Sequence, residues 1–598
     1  MVGPDTTLRR TLSIAVVIGV ISGIGALIFY EGLKLGTRFF MGGILGYRFP
    51  DEGQSITAIA SWVPPDSIWL LLPLICFGAL VSGLLVATFA PEAEGHGTDA
   101  AIRAFHGEGR VRWRIPLVKA VSAILTITTG GSAGREGPTA QISAGFGSIA
   151  ADILGLSARE RRIALAAGIG AGIGTIFKAP LGGAILGAEI LYIRDFESEA
   201  IVPSFLSSII GYAIFSSYEG FSPIFGSAGG VWTVSQLPLF LFLGAVCAAM
   251  GILYIRTFYK TRAAFTSVFS RFGLPPHIKP LCGAFLIGVG VILLAHISPE
   301  GMMIGLGSIG TGYGFLQLAM YNMVPLLVLL LLPFAKILTT SLTIGSGGSG
   351  GVFAPGLAIG GSTGGAVGLV LHQLLPGLVP LATVPVFVIV GMIALFGGIA
   401  NAPISVLIMV VEMTADFSLL IPAMGAVAIA YILTGEETIF HEQVRTKAQS
   451  GAHRGEYRVE VLEEIRTGDV MVPAERVITL TPDDSCAHVL SLINETWHTG
   501  FPVLDDKLLV GIITIGDVRN GTAPGTPPER VRTVMAHDIV TIPPDATLEA
   551  ALILMMNHEI HHLPVVHPQK SDTLVGFLTS TDILRAYTRH VAGKARSY

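Results

Sequence analysis

The chain has 598 residues, of which 51% are hydrophobic and only 13% are charged. Because this charged fraction is about half that of an ordinary soluble protein, the composition excludes that class and predicts a membrane protein. The net charge of −5 is small for this length and no basic stripe carries interleaved aromatic residues, so nothing supports a nucleic-acid partner. The four widely spaced cysteines predict neither a disulfide framework nor a metal site.

The first apolar segment, residues 11–30, follows Arg9 and Arg10. It is longer than a signal-peptide core and has no clear cleavage site, so it predicts a first membrane helix with its basic flank and the N-terminus in the cytoplasm. Apolar segments over 68–89 and 324–345 are also near the length needed to cross a membrane.

Two other apolar segments, 159–175 and 179–192, are interrupted by glycine and proline. The interruptions predict helices that stop part way through the membrane. Broken backbone of this kind is tolerated only where it is buried in protein or lines a cavity, which is typical of a transport pathway.

The membrane part contains two copies of one pattern. GGSAGREGP (130–138) recurs as GGSGGVFAP (347–355), and KAPLGGAILGAEI (178–190) recurs as NAPISVLIMVVEM (401–413). Glycine-rich breaks at corresponding positions of two repeats predict a substrate site near the midplane, where helix N-termini from both halves converge. The two repeats cover roughly 12–218 and 237–435.

After Gly435 the chain becomes charged and has no further apolar run of membrane length, which predicts a soluble tail. A linker, 441–462, follows the membrane domain, 1–440. Two modules of one α+β pattern, each a helix, two strands and a second helix, are predicted over 463–525 and 526–592. Five residues of the first module, Met471, Pro482, Pro502, Gly511 and Asp517, match Met535, Pro544, Pro564, Gly576 and Asp582 of the second.

The motif at 130–138 has the features of an anion site. Its glycines let backbone N–H groups approach a ligand, and a helix beginning there points free N–H groups and a positive dipole end at it. Glu136 would compete with an anion for these donors when ionised and withdraw when protonated, and so act as gate and proton carrier. Arg135 is predicted to be structural. The alternatives are that the glycines only allow close helix packing, and that Glu136 only pairs with Arg135.

Together, GREGP (134–138), GVFAP (351–355), Lys119, the helix APLGGAILGAEI and the paired tail modules resemble the CLC family of chloride channels and chloride–proton antiporters, with C-terminal CBS domains. The resemblance implies an all-α polytopic membrane fold with an inverted repeat, a cytoplasmic CBS pair, and a homodimer with one pathway per subunit that carries chloride or a similar anion and involves protons. It implies the gating role of Glu136 and the following anion-binding residues: His96, Gly97, Arg135, Glu136, Gly137, Val352, Phe353 and Phe440.

Three positions depart from the family pattern. The selectivity loop is Gly95 to Asp99, in which His96 replaces a serine, so the preferred anion is left open. His96 could donate to an anion and respond to pH; alternatively it turns away from the pore. The expected central tyrosine is Phe440, which has no hydroxyl to offer.

The third departure is Ile190, at the place of the inner proton-transfer acid of the exchangers. We interpret the neighbouring Glu189, and its repeat partner Glu412, as structural caps or buried pairs, with a proton-relay role for Glu189 as the alternative. The mode, proton-coupled exchange or a gated chloride channel, therefore stays open.

The tail modules resemble CBS domains, in which an acidic residue after a Thr/Ser pair binds a nucleotide ribose. A nucleotide such as ATP, ADP or AMP is predicted at the cleft, or else the modules only dimerise and transmit movement. The predicted nucleotide-binding residues are Thr514, Asp517, Thr579, Ser580 and Asp582.

Two other classes of function are weaker. A divalent-cation transporter regulated by CBS domains would need several carboxylates along its membrane path, and this chain has few. A membrane metalloprotease rests only on HEIHH (558–562), but the strand predicted directly after it ends the helix near His561, whereas that motif needs both histidines on one helix face. The chain is predicted not to be an enzyme, and to require no metal or cofactor.

Overall fold

The computed structural model describes residues 4–226, 230–453, 462–520 and 530–594, without the side chains of 4–11, 520 and 590–594. The chain divides into two compact units, Met1–Ala452 and His453–Tyr598. Residues 441–452, predicted as linker, thus belong to the membrane unit: the Val444 amide donates to Leu191 O at 3.4 Å, and the Ile193 amide to Val444 O at 3.0 Å. The rest of the predicted linker, apart from His453 and Leu462, lies outside the described residues.

The membrane unit is helical throughout. The first repeat contains α1 to α9: Pro4–Thr37, Ile56–Ile59, Leu71–Phe89, Thr98–His106, Arg114–Thr128, Glu136–Ile153, Ala158–Ile176, Pro180–Glu189 and Ser198–Glu219. The second contains α10 to α18: Leu237–Arg271, Lys279–Ile297, Pro299–Ser308, Tyr313–Met320, Leu326–Ile344, Phe353–Leu374, Val384–Ile399, Pro403–Thr414 and Leu420–Thr434.

Within the described residues, 9 helices are long and apolar enough to cross a membrane. The spans expected over 68–89 and 324–345 are confirmed as Ile68–Phe89 and Leu326–Ile344. Helix α8, with 10 residues, is short, as predicted. The prediction of a break within 159–175 is wrong, because α7 is continuous over 19 residues from a Ser157–Glu160 capping box. Its glycines keep their helical bonds and serve close packing instead: a Cβ on Gly168 would strike the carbonyl oxygen of Ser143.

Each repeat supplies a glutamate that caps a helix of the other repeat. The Glu189 carboxylate, at the end of α8, accepts from the Ile404 and Ser405 amides at the start of α17, at 3.2 and 2.8 Å. The Glu412 carboxylate, on α17, accepts from Leu181 and Gly182 at the start of α8, at 3.1 and 2.8 Å. Such reciprocity places a pseudo-two-fold axis between the repeats, and it confirms the interpretation of both acids as helix caps.

The tail unit contains α19 (Thr467–Val470), β1 (Val472–Pro473), α20 (Cys486–Thr496), β2 (Gly500–Asp505), β3 (Leu508–Thr514), α21 (Ile515–Asn520), α22 (Leu548–Asn557), β4 (His562–His567), β5 (Lys570–Thr579) and α23 (Ser580–Lys594). The predicted order of helix, two strands and helix is present twice. The sheets are antiparallel, β2–β3 and β1–β5–β4, and Val503↔Gly511 in the first corresponds to Val565↔Gly576 in the second.

The two modules share segments. The predicted first module begins at 463, but β1 pairs with β5 of the second module and Leu462 lies in the core of the second. Conversely, Val531 and Met535 lie in the core of the first. Each module therefore completes its core or sheet with residues that were predicted to belong to the other module. The predicted boundary between 525 and 526 lies outside the described residues.

The protease motif lacks the helix it needs. Helix α22 ends at Asn557, Glu559 has a left-handed φ of 54°, and His562 already belongs to β4. His558 and His562 are therefore not on one helix face.

Gly182, on α8, tests the contact between the repeats. A Cβ there would lie 2.5 Å from the Met409 Cα on α17. We expect Gly182→Ala to destabilise the membrane unit by about 1–3 kcal/mol through overpacking, measured as a lower melting temperature in detergent by size-exclusion chromatography after heating. Gly290→Ala, on α11, is the matched control, because a Cβ added there would meet no neighbouring atom within 4 Å. Equal melting temperatures for the two variants would contradict the packing argument.

Candidate anion site

The two glycine motifs meet at the centre of the membrane unit. Gly134 and Gly351 exchange backbone hydrogen bonds, each 2.7 Å long. The first glycines of both motifs have left-handed φ values, 108° at Gly130 and 105° at Gly347, which only glycine adopts readily. Directly after this pairing, α6 begins at Glu136 and α15 at Phe353. Two helix N-termini thus converge on one buried place, as predicted from the repeat.

The loop Gly95–Gly97 forms the third wall of this place. The Gly350 amide donates to the Gly95 carbonyl at 3.2 Å. The backbone around Gly97 and Gly137 is so close that a Cβ on Gly97 would lie 2.8 Å from the Gly137 oxygen, and one on Gly137 would strike the His96 oxygen. The structure therefore brings together the predicted anion-binding loops of both repeats.

Two buried lysines support the loops in the same way. Lys119 donates to the carbonyls of Ala93 and Gly95 at 3.0 and 2.6 Å. Lys336 donates to three carbonyls of the corresponding loop of the other repeat: Ser308, Ile309 and Gly310. The sequence reasoning missed Lys336, although each lysine stands eleven residues before the first glycine of its motif, which is the signal that identifies it.

Glu136 is buried, with 1% of its surface exposed, and its carboxylate lies at the convergence of the two helices. Its Oε1 accepts a hydrogen bond from the Tyr313 hydroxyl at 2.6 Å. The carboxylate also faces the backbone amides of Glu136 and Ala354, although Oε2 forms no well-aligned hydrogen bond to the described residues. The Glu136 carboxyl group therefore occupies the place that the amides offer to an acceptor. The sequence pattern did not point to Tyr313, its hydrogen-bond donor.

The alternative that Glu136 only pairs with Arg135 is weak. In this pair the charged atoms Arg135 Nε and Glu136 Oε1 are 3.9 Å apart, whereas Arg135 Nη1 lies 3.0 Å from Glu52 Oε1. Glu52 is thus the main partner of Arg135, consistent with the structural role expected for the arginine. Nothing in the sequence pattern pointed to Glu52.

His96 is buried and makes one side-chain hydrogen bond. Its Nε2 lies 3.1 Å from Asp99 Oδ2, and the Glu442 amide donates to Asp99 Oδ1 at 3.3 Å. The ring packs near Phe440 and Phe258, with centroids 5.6 and 6.2 Å away. Nδ1 has no hydrogen-bond partner in the described part of the chain. Since Nε2 faces Asp99, only Nδ1 is left to meet an anion.

Gln443 bonds to the backbone of both Ile190 and Phe440: its side-chain amide contacts Ile190, and its backbone N–H donates to the Phe440 carbonyl at 3.1 Å. Gln443 Nε2 donates to the carbonyls of Ile190 and Ala400, at 3.0 and 2.9 Å, and its Oε1 accepts from Thr438. The Ile190 side chain is buried and apolar, so no proton carrier stands at that position. Phe440 continues an aromatic series in which Phe396 lies 6.3 Å from Phe440 and 3.9 Å from Phe353, centroid to centroid.

The five predicted nucleotide residues lie at two equivalent turns in the tail. Asp517 Oδ2 accepts from the Thr514 amide and hydroxyl at 2.8 and 2.7 Å, and Asp582 Oδ2 accepts from the same groups of Thr579 at 3.1 and 2.6 Å. Ser580 begins α23. Both aspartates therefore cap the helix that follows their strand.

Buried helix N-termini that meet across a two-fold repeat, with a carboxylate between them, define a membrane anion transport protein of the inverted-repeat class. Residues 78–435 match the family model described as voltage gated chloride channel, and residues 468–521 and 531–589 match that of the CBS domain. The chain belongs to the voltage-gated chloride channel, or CLC, family and carries a C-terminal CBS pair.

Three relatives illustrate the range of the family. The H(+)/Cl(−) exchange transporter ClcA of Yersinia pseudotuberculosis is 29% identical over 75% of this chain and 90% of its own length. Chloride channel protein CLC-f of Arabidopsis thaliana is 26% identical over 81% of this chain and 69% of its own length. The crystal structure of a slow cyanobacterial Cl−/H+ antiporter superposes with a TM-score of 0.60 at 26% identity and covers 72% of this chain and 96% of the antiporter.

The Tyr313 hydroxyl tests whether the Glu136 carboxyl group obstructs the site. Tyr313→Phe removes the hydrogen bond that holds this group in place, so we expect chloride efflux from liposomes at neutral pH to rise about tenfold. Tyr321→Phe, which removes a hydroxyl bonded to the Gln54 carbonyl at 3.0 Å, should leave efflux unchanged. Slower or equal efflux for Tyr313→Phe would contradict the anchoring role.

Proposed function

We propose that this protein transports chloride across a membrane through the site between α6 and α15, with Glu136 as the gate. One observation carries the proposal: a buried carboxylate lies against backbone amides at two converging helix N-termini. These amides offer partial positive charge without placing a full cation at the anion, which allows binding and release. Chloride replaces the carboxylate when Glu136 is protonated and withdraws.

Two modes of transport each have support. Exchange for protons is favoured by Glu136 itself and by the similarity to ClcA and to the cyanobacterial antiporter. Passive conduction is favoured by Ile190, which cannot carry a proton, and by the similarity to CLC-f. If protons are exchanged, another group must replace the missing inner acid.

Reconstituted protein decides both the function and the mode. We expect chloride efflux from liposomes that depends on pH, and Glu136→Gln to remove that dependence because the amide does not titrate over this range. A chloride gradient that drives protons uphill identifies an exchanger, and one that does not identifies a channel. Absence of chloride flux, or an unchanged pH profile in Glu136→Gln, would overturn the proposal.

His96→Ser, assayed with chloride, nitrate and fluoride, reports which anion the loop prefers.

We also propose an adenine nucleotide, ATP, ADP or AMP, as a ligand of the tail, a cytoplasmic N-terminus and tail, and a homodimer. The two Thr–Asp turns support the nucleotide, since each carboxylate stands at the start of a helix after a strand, at the position that resembles a ribose-binding acid. Repeated amide and hydroxyl bonds to one oxygen of each carboxylate hold it in a fixed orientation.

Asp582→Asn tests the nucleotide in the full chain. The asparagine oxygen still caps α23, whereas the charge that receives ribose hydroxyls is lost, so we expect ATP affinity measured by calorimetry to fall about tenfold. Asp572→Asn, on an exposed part of β5, is the control. If wild-type protein gives no saturable heat with ATP, ADP or AMP, the tail serves only assembly and transmission of movement.

A further inference from the structure

Arg135 stands between two acids that compete for it. Its Nη1 lies 3.0 Å from Glu52, in the segment between α1 and α2, and its Nε lies 3.9 Å from the gating carboxylate. That Nε atom, like Glu136 Oε2, is buried without a hydrogen bond to any described residue. The guanidinium is thus paired with Glu52 through Nη1 and left incompletely paired toward Glu136.

The surroundings keep Arg135 where it is. Its guanidinium carbon lies 4.9 Å above the Tyr30 ring and 5.5 Å from that of Tyr313, so the plane of the group is fixed by two aromatic faces. Arg135 is 7% exposed and Glu52 18%, and charges so shielded interact more strongly than in water. A change of charge at Glu52 is therefore felt at Glu136.

Other charged groups face this cluster. Asp51 and Lys178 each interact electrostatically with both Arg135 and Glu52. Lys34 interacts with Asp51 and Lys178, and Glu219 interacts with Lys178. Lys34 is itself paired with Glu219 at 2.5 Å. Burial and the neighbouring Glu52 raise the pKa of Asp51 to about 6, so Asp51 loses charge in mild acid. Among the described residues, Glu52 is the acid in direct contact with Arg135 other than the gate.

We propose that Glu52 is a positioning residue for the gate: by neutralising Arg135 it keeps that cation from stabilising the ionised, blocking form of Glu136. The inference rests on the proposed gating function and adds a residue outside the predicted site. Without the Glu52 charge, Arg135 is an uncompensated buried cation beside Glu136. It then favours the carboxylate over the carboxylic acid, whether or not the side chain moves, and the gate opens only at higher proton concentration.

The test uses full-length protein in liposomes with the same pH on both sides, and measures chloride efflux from pH 4.5 to 8. We expect Glu52→Gln to shift half-maximal efflux about one unit toward lower pH. Glu52→Asp, which keeps the charge on a shorter side chain, should give a smaller shift in the same direction. Glu31→Gln, which removes an acid paired with Lys34 and not with Arg135, should give none.

Two double variants separate this inference from the function it rests on. In a Glu136→Gln background, Glu52→Gln should have no pH profile to shift. In an Arg135→Gln background, its shift should fall to about a third or less, because the cation through which it acts is gone. An unchanged or upward-shifted profile for both Glu52 variants overturns the role of Glu52 while chloride transport stands. Absence of pH-dependent efflux in the wild type would instead remove the proposed gate.

Discussion

The pairing of Gly134 with Gly351 is the constraint on which the site depends. Two short backbone hydrogen bonds between the glycine motifs bring the starts of α6 and α15 to the same buried place. The first turns of these helices have N–H groups without intrahelical partners, and in a membrane such donors need an acceptor. The Glu136 carboxyl group supplies one, and in the proposed function an anion takes its place. The site thus follows from a backbone requirement that the fold itself creates.

The basic side chains around the site all have partners other than an anion. Lys119 and Lys336 donate to loop carbonyls, and Arg135 pairs with Glu52. Unpaired charge in such surroundings is expensive, and a free cation beside the anion would hold it too tightly for transport. These side chains therefore hold the loops in position. In the proposed function the anion is bound by backbone amides, whose partial charges allow it to be released.

Ile190, Phe440 and His96, the three predicted departures from the family pattern, are all buried. Ile190 presents only a carbonyl to Gln443, and the Phe440 ring packs beside His96. The His96–Asp99 pair, with the Glu442 amide on the second aspartate oxygen, is a buried polar group beside the Phe440 ring.

Local composition, spacing and periodicity were enough to predict the membrane class, the two repeats, the tail modules and the two glycine motifs, the first of which contains Glu136. The partners of Glu136 and Arg135 became visible only in the folded protein. Tyr313 and Glu52 are remote from it in the chain and carry no local pattern, and Glu189 and Glu412 could be identified as reciprocal caps only once the repeats had been packed. The continuity of α7 and the exchange of segments between the tail modules have the same cause. In the sequence a glycine suggests a break in a helix, whereas in the folded structure it can be the position at which another backbone packs closely.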